Sequence, residues 1–159
     1  MLGLTATVML AQFGAEVVVF DTDVRRRERA WLFGAAEVTA EPVSGADLAL
    51  ELSGNAAVVQ LALDSVAVGG TVVLAGSVSP GPSVRLDPQR LVRSLITITG
   101  VHNYRPADLR TAVDFLAAHH SRYPFGDLVA GVWSLDRLGD AFAAARSGVG
   151  VRQAVRPGG

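Results

Sequence analysis

The chain has 159 residues, a formal net charge of −1, 50% hydrophobic residues and 17 glycines. That suits a globular body with a buried core and leaves no electrostatic footprint for nucleic acid or an anionic membrane. It has no cysteine and its 14 basic residues are all arginine, which excludes disulfides, thiolate nucleophiles, cysteine-based zinc sites, lysine Schiff bases and a Walker-type phosphate loop.

Met1 to Phe13 is apolar, but it lacks a basic leader and is too short to cross a bilayer. The expected location is therefore cytoplasmic. Small residues interspersed with Leu4, Val8 and Met9 predict a helix from Leu2 to Phe13, stopped by Gly14 as a left-handed cap. Glu16 to Asp21 follows, apolar and Val-rich, as expected of a parallel strand covered on both faces. Its closing carboxylate, Asp21, stands eighteen residues after Gly3. That spacing fits the second strand of a dinucleotide-binding fold, where the acid accepts hydrogen bonds from the adenosine ribose. The plain alternative is an Asp preceding a helix, and the same acid occurs in folds that bind S-adenosylmethionine.

Thr22 or Asp23 caps a helix running to Phe33, before Gly34. Glu37 to Thr39 and Asp47 to Leu52 read as strands, the latter closed by Ser53-Gly54. A helix from Ala56 to Val66 precedes a strand from Thr71 to Ala75, and Gly76 to Ser83 is a loop. Ser53, Gly54, Ala75, Gly76 and Ser77 thus end strands at the carboxyl edge, where open α/β sheets bind ligands. Asp87-Pro88 caps a short helix near Gln89 to Arg93. Leu95 to Val101 is a strand. Pro106 to His120 is a helix with Leu109, Ala112, Val113 and Leu116 on one face. Leu128 to Trp133 is a further strand, Ser134 caps a helix carrying Leu138, Ala141 and Phe142, and Val151 to Val155 is a closing strand. Pro157 to Gly159 should fray.

Strand–helix alternation of this kind argues for an α/β fold, a Rossmann-like doubly wound parallel sheet. The chain opens at Met1-Leu2-Gly3, where a Gly-x-Gly-x-x-Gly turn belongs, so the sheet is expected to be truncated before its first strand. In the order 3-2-1-4-5-6 that strand is central. Its loss predicts aggregation, strand swapping, or closure of the gap by pairing Val17–Phe20 with Leu48–Leu52. The expected division is a cofactor-binding domain over residues 1–101 and a C-terminal segment over 102–159 that packs on it.

Gly3, Gly14-Ala15 with Asp21, Phe33-Gly34-Ala35, Glu51-Leu52-Ser53-Gly54, Gly69-Gly70 and Arg146-Ser147-Gly148 together resemble the medium-chain dehydrogenase/reductase family. More narrowly, they are similar to the cofactor-binding half of zinc-dependent alcohol dehydrogenases. Gly100-Val101-His102-Asn103-Tyr104 resembles a subgroup associated with phosphonate metabolism. The resemblance implies an oxidoreductase that, as a complete enzyme, transfers hydride between a small alcohol or carbonyl substrate and NAD. NADP is disfavoured by the Asp21 carboxylate.

It also implies roles for particular residues. Gly3 is the third turn glycine, allowing helix and strand to approach closely. Arg26 lies beside the adenosine ribose, where reaching a 2′-phosphate would weaken the NAD preference; Arg25, Arg27 and Arg29 read as a solvated face. The backbone at Ala75–Ser77 and at Thr97–Thr99, Thr99 included, lines the nicotinamide carboxamide, and Arg152 reaches the pyrophosphate. Zinc and its ligands are implied for the complete enzyme alone, in a domain this sequence lacks, so the chain by itself is expected to turn nothing over. A homo-oligomer is implied, meeting through Val84–Leu86 and Leu95–Val101. Glu51 and the three histidines read as structural or surface residues. Two alternatives stand beside this reading: a non-catalytic nucleotide-binding module from a truncated reading frame, and a zinc-free quinone-reductase-like relative.

Overall fold

A computed structural model describes residues 1–158; Gly159, the last residue of the expected fraying tail, lies outside the described residues. The elements alternate as the apolar runs predict: α1 (Leu2–Gln12), β1 (Val18–Phe20), α2 (Val24–Leu32), β2 (Glu37–Thr39), β3 (Ala46–Glu51), α3 (Ala56–Ser65), β4 (Val66–Leu74), α4 (Pro88–Arg93), β5 (Thr97–Gly100), α5 (Pro106–His119), β6 (Val129–Ser134), α6 (Leu138–Arg146) and β7 (Arg152–Arg156). Every strand pairing is parallel. The fold is α/β and Rossmann-like, with three parallel sheets among the described residues: β1-β2, β3-β4-β5 and β6-β7. The first two are the pieces that the order 3-2-1-4-5-6 leaves when the strand numbered 1 is taken out. The expected closure of that gap does not occur: among the described residues β1 pairs only with β2, and β3 only with β4.

Two compact units divide the chain. One comprises residues 18–27 and 37–105. Its core is Val59, Ala62, Leu63, Val66 and Val72, with Ala49, Leu74, Ile96 and Ile98 packed on it. This is α3 laid on the β3-β4-β5 sheet. The apolar sides of these strands are buried by a helix whose start is fixed by Asn55, which accepts the Ala57 amide at 2.9 Å. Asp87 caps α4 in the same way, accepting from the amides of Gln89 and Arg90, with Pro88 at the first helical position. β5 begins at Thr97 and not at Leu95, because Leu95 takes a left-handed φ of 53° that ends any extended run.

The other unit comprises residues 1–17, 28–36 and 106–159. Its core is Val8, Phe33, Tyr123 and Leu128, with Phe33 and Phe125 edge to face at 5.3 Å. Tyr123 spends its hydroxyl on Gln12, whose amide donates at 2.7 Å. Two expectations need correction here. α5 packs through Phe115 and His119, whose rings lie 4.5 Å apart; Leu109, Val113 and Leu116 are exposed. Ser134 does not cap α6. A 3-10 turn over Leu135–Arg137 intervenes, and the Ser134 hydroxyl serves the Asp136 carboxylate, holding that carboxyl below its ordinary range.

Candidate functional site

In the first unit described, the carboxyl ends of four parallel strands carry the residues singled out from the sequence. Asp21 directly follows β1. Its Oδ1 accepts the Asp23 amide at 2.9 Å, and its Oδ2 lies 3.8 Å from the Arg26 guanidinium, both side chains reaching solvent. Of the arginine run, Arg26 is the one that faces this carboxylate. Arg25 turns to Asp23, and Arg27 donates to the Asp21 carbonyl at 2.6 Å. The run is therefore more than a solvated face, since Arg27 ties down the strand end that presents the acid.

At the ends of β3 and β4 the organising residue is Glu51, 1% exposed. Its Oε1 accepts the amides of Ser53 (2.6 Å) and Gly54 (2.7 Å) and the Ser53 hydroxyl (2.7 Å). Oε2 accepts the Ser77 hydroxyl at 3.3 Å. The Glu51 carbonyl accepts the amides of Ala75 and Gly76, both at 3.0 Å. One residue thereby binds both loops of the carboxyl edge. The loops touch so closely that a Cβ on Gly54, which has φ +74°, would stand 2.5 Å from the Gly76 carbonyl oxygen. The two glycines are required by each other, a reason visible only once both loops are placed. Thr99, within β5 and paired with Val73, is exposed at the adjoining strand.

In the second unit, Gly3 lies in the first turn of α1, which carries no acidic residue. The expected close approach at Gly3 is not observed: among the described residues no atom lies within 4 Å of where its Cβ would be. Arg152, the first residue of β7, puts its Nε 3.0 Å from the Met1 sulfur. This unit thus brings its candidate phosphate-binding arginine to the start of the helix that carries Gly3. Val84–Leu86, implied as part of an oligomer contact, forms no strand; Arg85 and Leu86 line a cleft of about 330 Å³ with Gln60, Asp64 and Arg90.

Glu51 is structural, as expected, but the reach of its bonding was not legible in the sequence. The available signal was an acid closing an apolar strand and followed at once by Ser-Gly; its bond to Ser77, 26 residues away, had no local signature.

Residues 2–118 match the family described as zinc-binding dehydrogenase. The chain belongs to that family. Among solved structures, this zinc-binding dehydrogenase chain superposes on an alcohol dehydrogenase from Thermotoga maritima with a TM-score of 0.90, at 20% identity over 99% of this chain and 47% of that one. It is similar to a thermostable alcohol dehydrogenase from Pyrobaculum aerophilum (TM-score 0.81, 27% identity, 98% of this chain and 46% of that one). The 2R,3R-butanediol dehydrogenase of Bacillus subtilis gives a TM-score of 0.78 at 27% identity, over 98% and 48%. The chain spans about half the length of these relatives. No curated protein sequence matches it.

The family name implies zinc, and the donor set here does not fit it. The sequence has no cysteine and three histidines, and among the described residues no group of three or more His, Asp or Glu could hold a metal ion. No helix of the described residues is long and apolar enough to cross a membrane.

Proposed function

We propose that this chain is the NAD-binding portion of an alcohol dehydrogenase-like oxidoreductase. Residues 1–101 form its cofactor-binding body, and residues 102–159 lead back to a catalytic domain that holds any zinc. The observation that carries the reading is Asp21. It stands at the carboxyl end of a parallel strand, one oxygen fixed by a backbone amide and the other open to solvent beside Arg26. A carboxylate so placed accepts from ribose hydroxyls and repels a 2′-phosphate. The dinucleotide supplies the hydride chemistry when bound.

The chain's own residues bind and orient. Asp21 and Arg26 take the adenosine ribose; within its own unit, Arg152 beside the start of α1 offers a guanidinium and helical amides of the kind that suit a phosphate. The edge formed by Ser53, Gly54, Ala75, Gly76, Ser77 and Thr99 takes the nicotinamide carboxamide. The substrate is a small alcohol or carbonyl compound, and a homo-oligomer forms through the outer edge of β5.

Calorimetric titration tests the reading. The chain should bind NAD in preference to NADP. Asp21→Ala should weaken NAD by at least about tenfold, the scale of one lost hydrogen bond to a charged group, and should erase the preference. Undiminished NAD affinity in that variant would overturn the assignment.

A further inference from the structure

The carboxyl edge of β3 and β4 has its donors turned inward. The amides of Ser53 and Gly54 and the hydroxyls of Ser53 and Ser77 all donate to the Glu51 carboxylate. The amides of Ala75 and Gly76 donate to its carbonyl. The Ser53 oxygen is further occupied as an acceptor by the Asn55 amide at 3.1 Å. Ser77 differs. It is exposed, and with its only hydroxyl hydrogen committed to Glu51, the oxygen it offers outward can only accept.

We propose that Glu51 is a positioning residue that makes Ser77 Oγ an acceptor for the carboxamide N–H of the nicotinamide ring, an assignment that rests on the dinucleotide reading above. The direction of the hydrogen bond is fixed by the buried end of the chain of contacts. Oε1 faces two backbone amides, which can only donate, so that position must hold an oxygen. In Glu51→Gln the amide oxygen is therefore held at the Oε1 place and the amide nitrogen falls at the Oε2 place. There it donates to Ser77, whose hydroxyl hydrogen is released outward. A single buried substitution thus gives Ser77 an outward donor where the wild type offers a ligand only an acceptor, with no change at the surface.

The test compares three ligands by calorimetry on the full chain: NAD, its 3-acetylpyridine analogue, which replaces the carboxamide by an acetyl group without an N–H, and ADP-ribose. The wild-type chain should prefer NAD over the analogue by roughly fivefold, the scale of one neutral hydrogen bond. Ser77→Ala should abolish the preference, leaving ADP-ribose binding unchanged. Glu51→Gln should collapse it, because the outward hydroxyl hydrogen now suits a carbonyl oxygen, which both ligands carry. A merely structural Glu51 would weaken all three ligands together and leave the ratio intact, and that result overturns the proposal. Ser77→Ala decides by itself if the Gln variant does not fold: a retained preference overturns the proposal. If neither NAD nor ADP-ribose binds the wild-type chain, the dinucleotide reading itself falls and takes this assignment with it.

Discussion

Asp23 holds the start of α2 on one carboxylate oxygen, which accepts the amides of Arg25 and Arg26 at 2.8 and 3.4 Å. The guanidinium of Arg25 adds a side-chain contact to the other oxygen. Arg25's hydrogen bonds, side chain first and then backbone, hold this carboxyl below its ordinary value. A carboxyl lowered on folding contributes stability above its unfolded value and loses it as pH falls through the folded one. The cap should therefore persist at pH values where an unrestrained Asp is already half protonated. The amide resonances of Arg25 and Arg26, followed by NMR during acidification, should move with a midpoint below that of an ordinary Asp. A midpoint at or above it would show that the cap is not formed in solution. The neighbouring Asp21 depends on this cap, since its Oδ1 takes the Asp23 amide and α2 starts in the orientation that puts Arg26 beside Oδ2. One local turn thus sets the electrostatics at which a ribose is proposed to dock.

The loops after β3 and β4 form one structural piece, and glycines separate its parts from the rest of the chain. Gly54→Ala must hold φ +74°, costing about 1–2 kcal/mol for a residue with a Cβ, and must also push against the Gly76 carbonyl. A Tm lower by roughly 5 °C or more is expected. Gly3→Ala is the contrast: its Cβ meets open space in a helix, where alanine is favoured over glycine by about 0.5–1 kcal/mol. It should raise Tm slightly. If both variants melt alike, the loop contact is not what holds this edge. These elements also show where sequence is sufficient. Apolar runs bounded by Gly14, Gly34 and Ser53-Gly54 announce α1, α2 and β3 because local backbone chemistry decides where those elements stop. Asp21 and Ser53-Gly54 were readable as strand-end residues for the same reason. The face of α5 was not, since periodicity names an apolar stripe but not the surface that will cover it; Phe115 and His119 find Tyr123, and the regular stripe of Leu109, Val113 and Leu116 stays in solvent. The role of Glu51 was hidden likewise, because half of its partners arrive from a loop fixed by β4.

At the scale of the whole molecule, the interrupted sheet has a physical consequence. Among the described residues, β1 and β3 each present a row of backbone N–H and C=O groups with no strand on one side, and their side chains are correspondingly open, Val18 at 39% and Leu48 at 42% exposure. Such edges are templates for another strand, and lysine on an edge strand discourages that pairing. The isolated chain should therefore self-associate through β1 and β3, while any twofold association through the outer edge of β5 proceeds independently. Sedimentation velocity over a range of concentrations separates the two. Species larger than dimers should dominate for the wild-type chain and diminish for Leu48→Lys, whose charge falls at the centre of β3, with dimers through β5 surviving. An untouched monomer at every concentration would contradict this expectation, since among the described residues no strand pairs with these edges. Large species that persist in Leu48→Lys would instead move the association to the exposed apolar stripe of α5, where Leu109, Val113 and Leu116 lie.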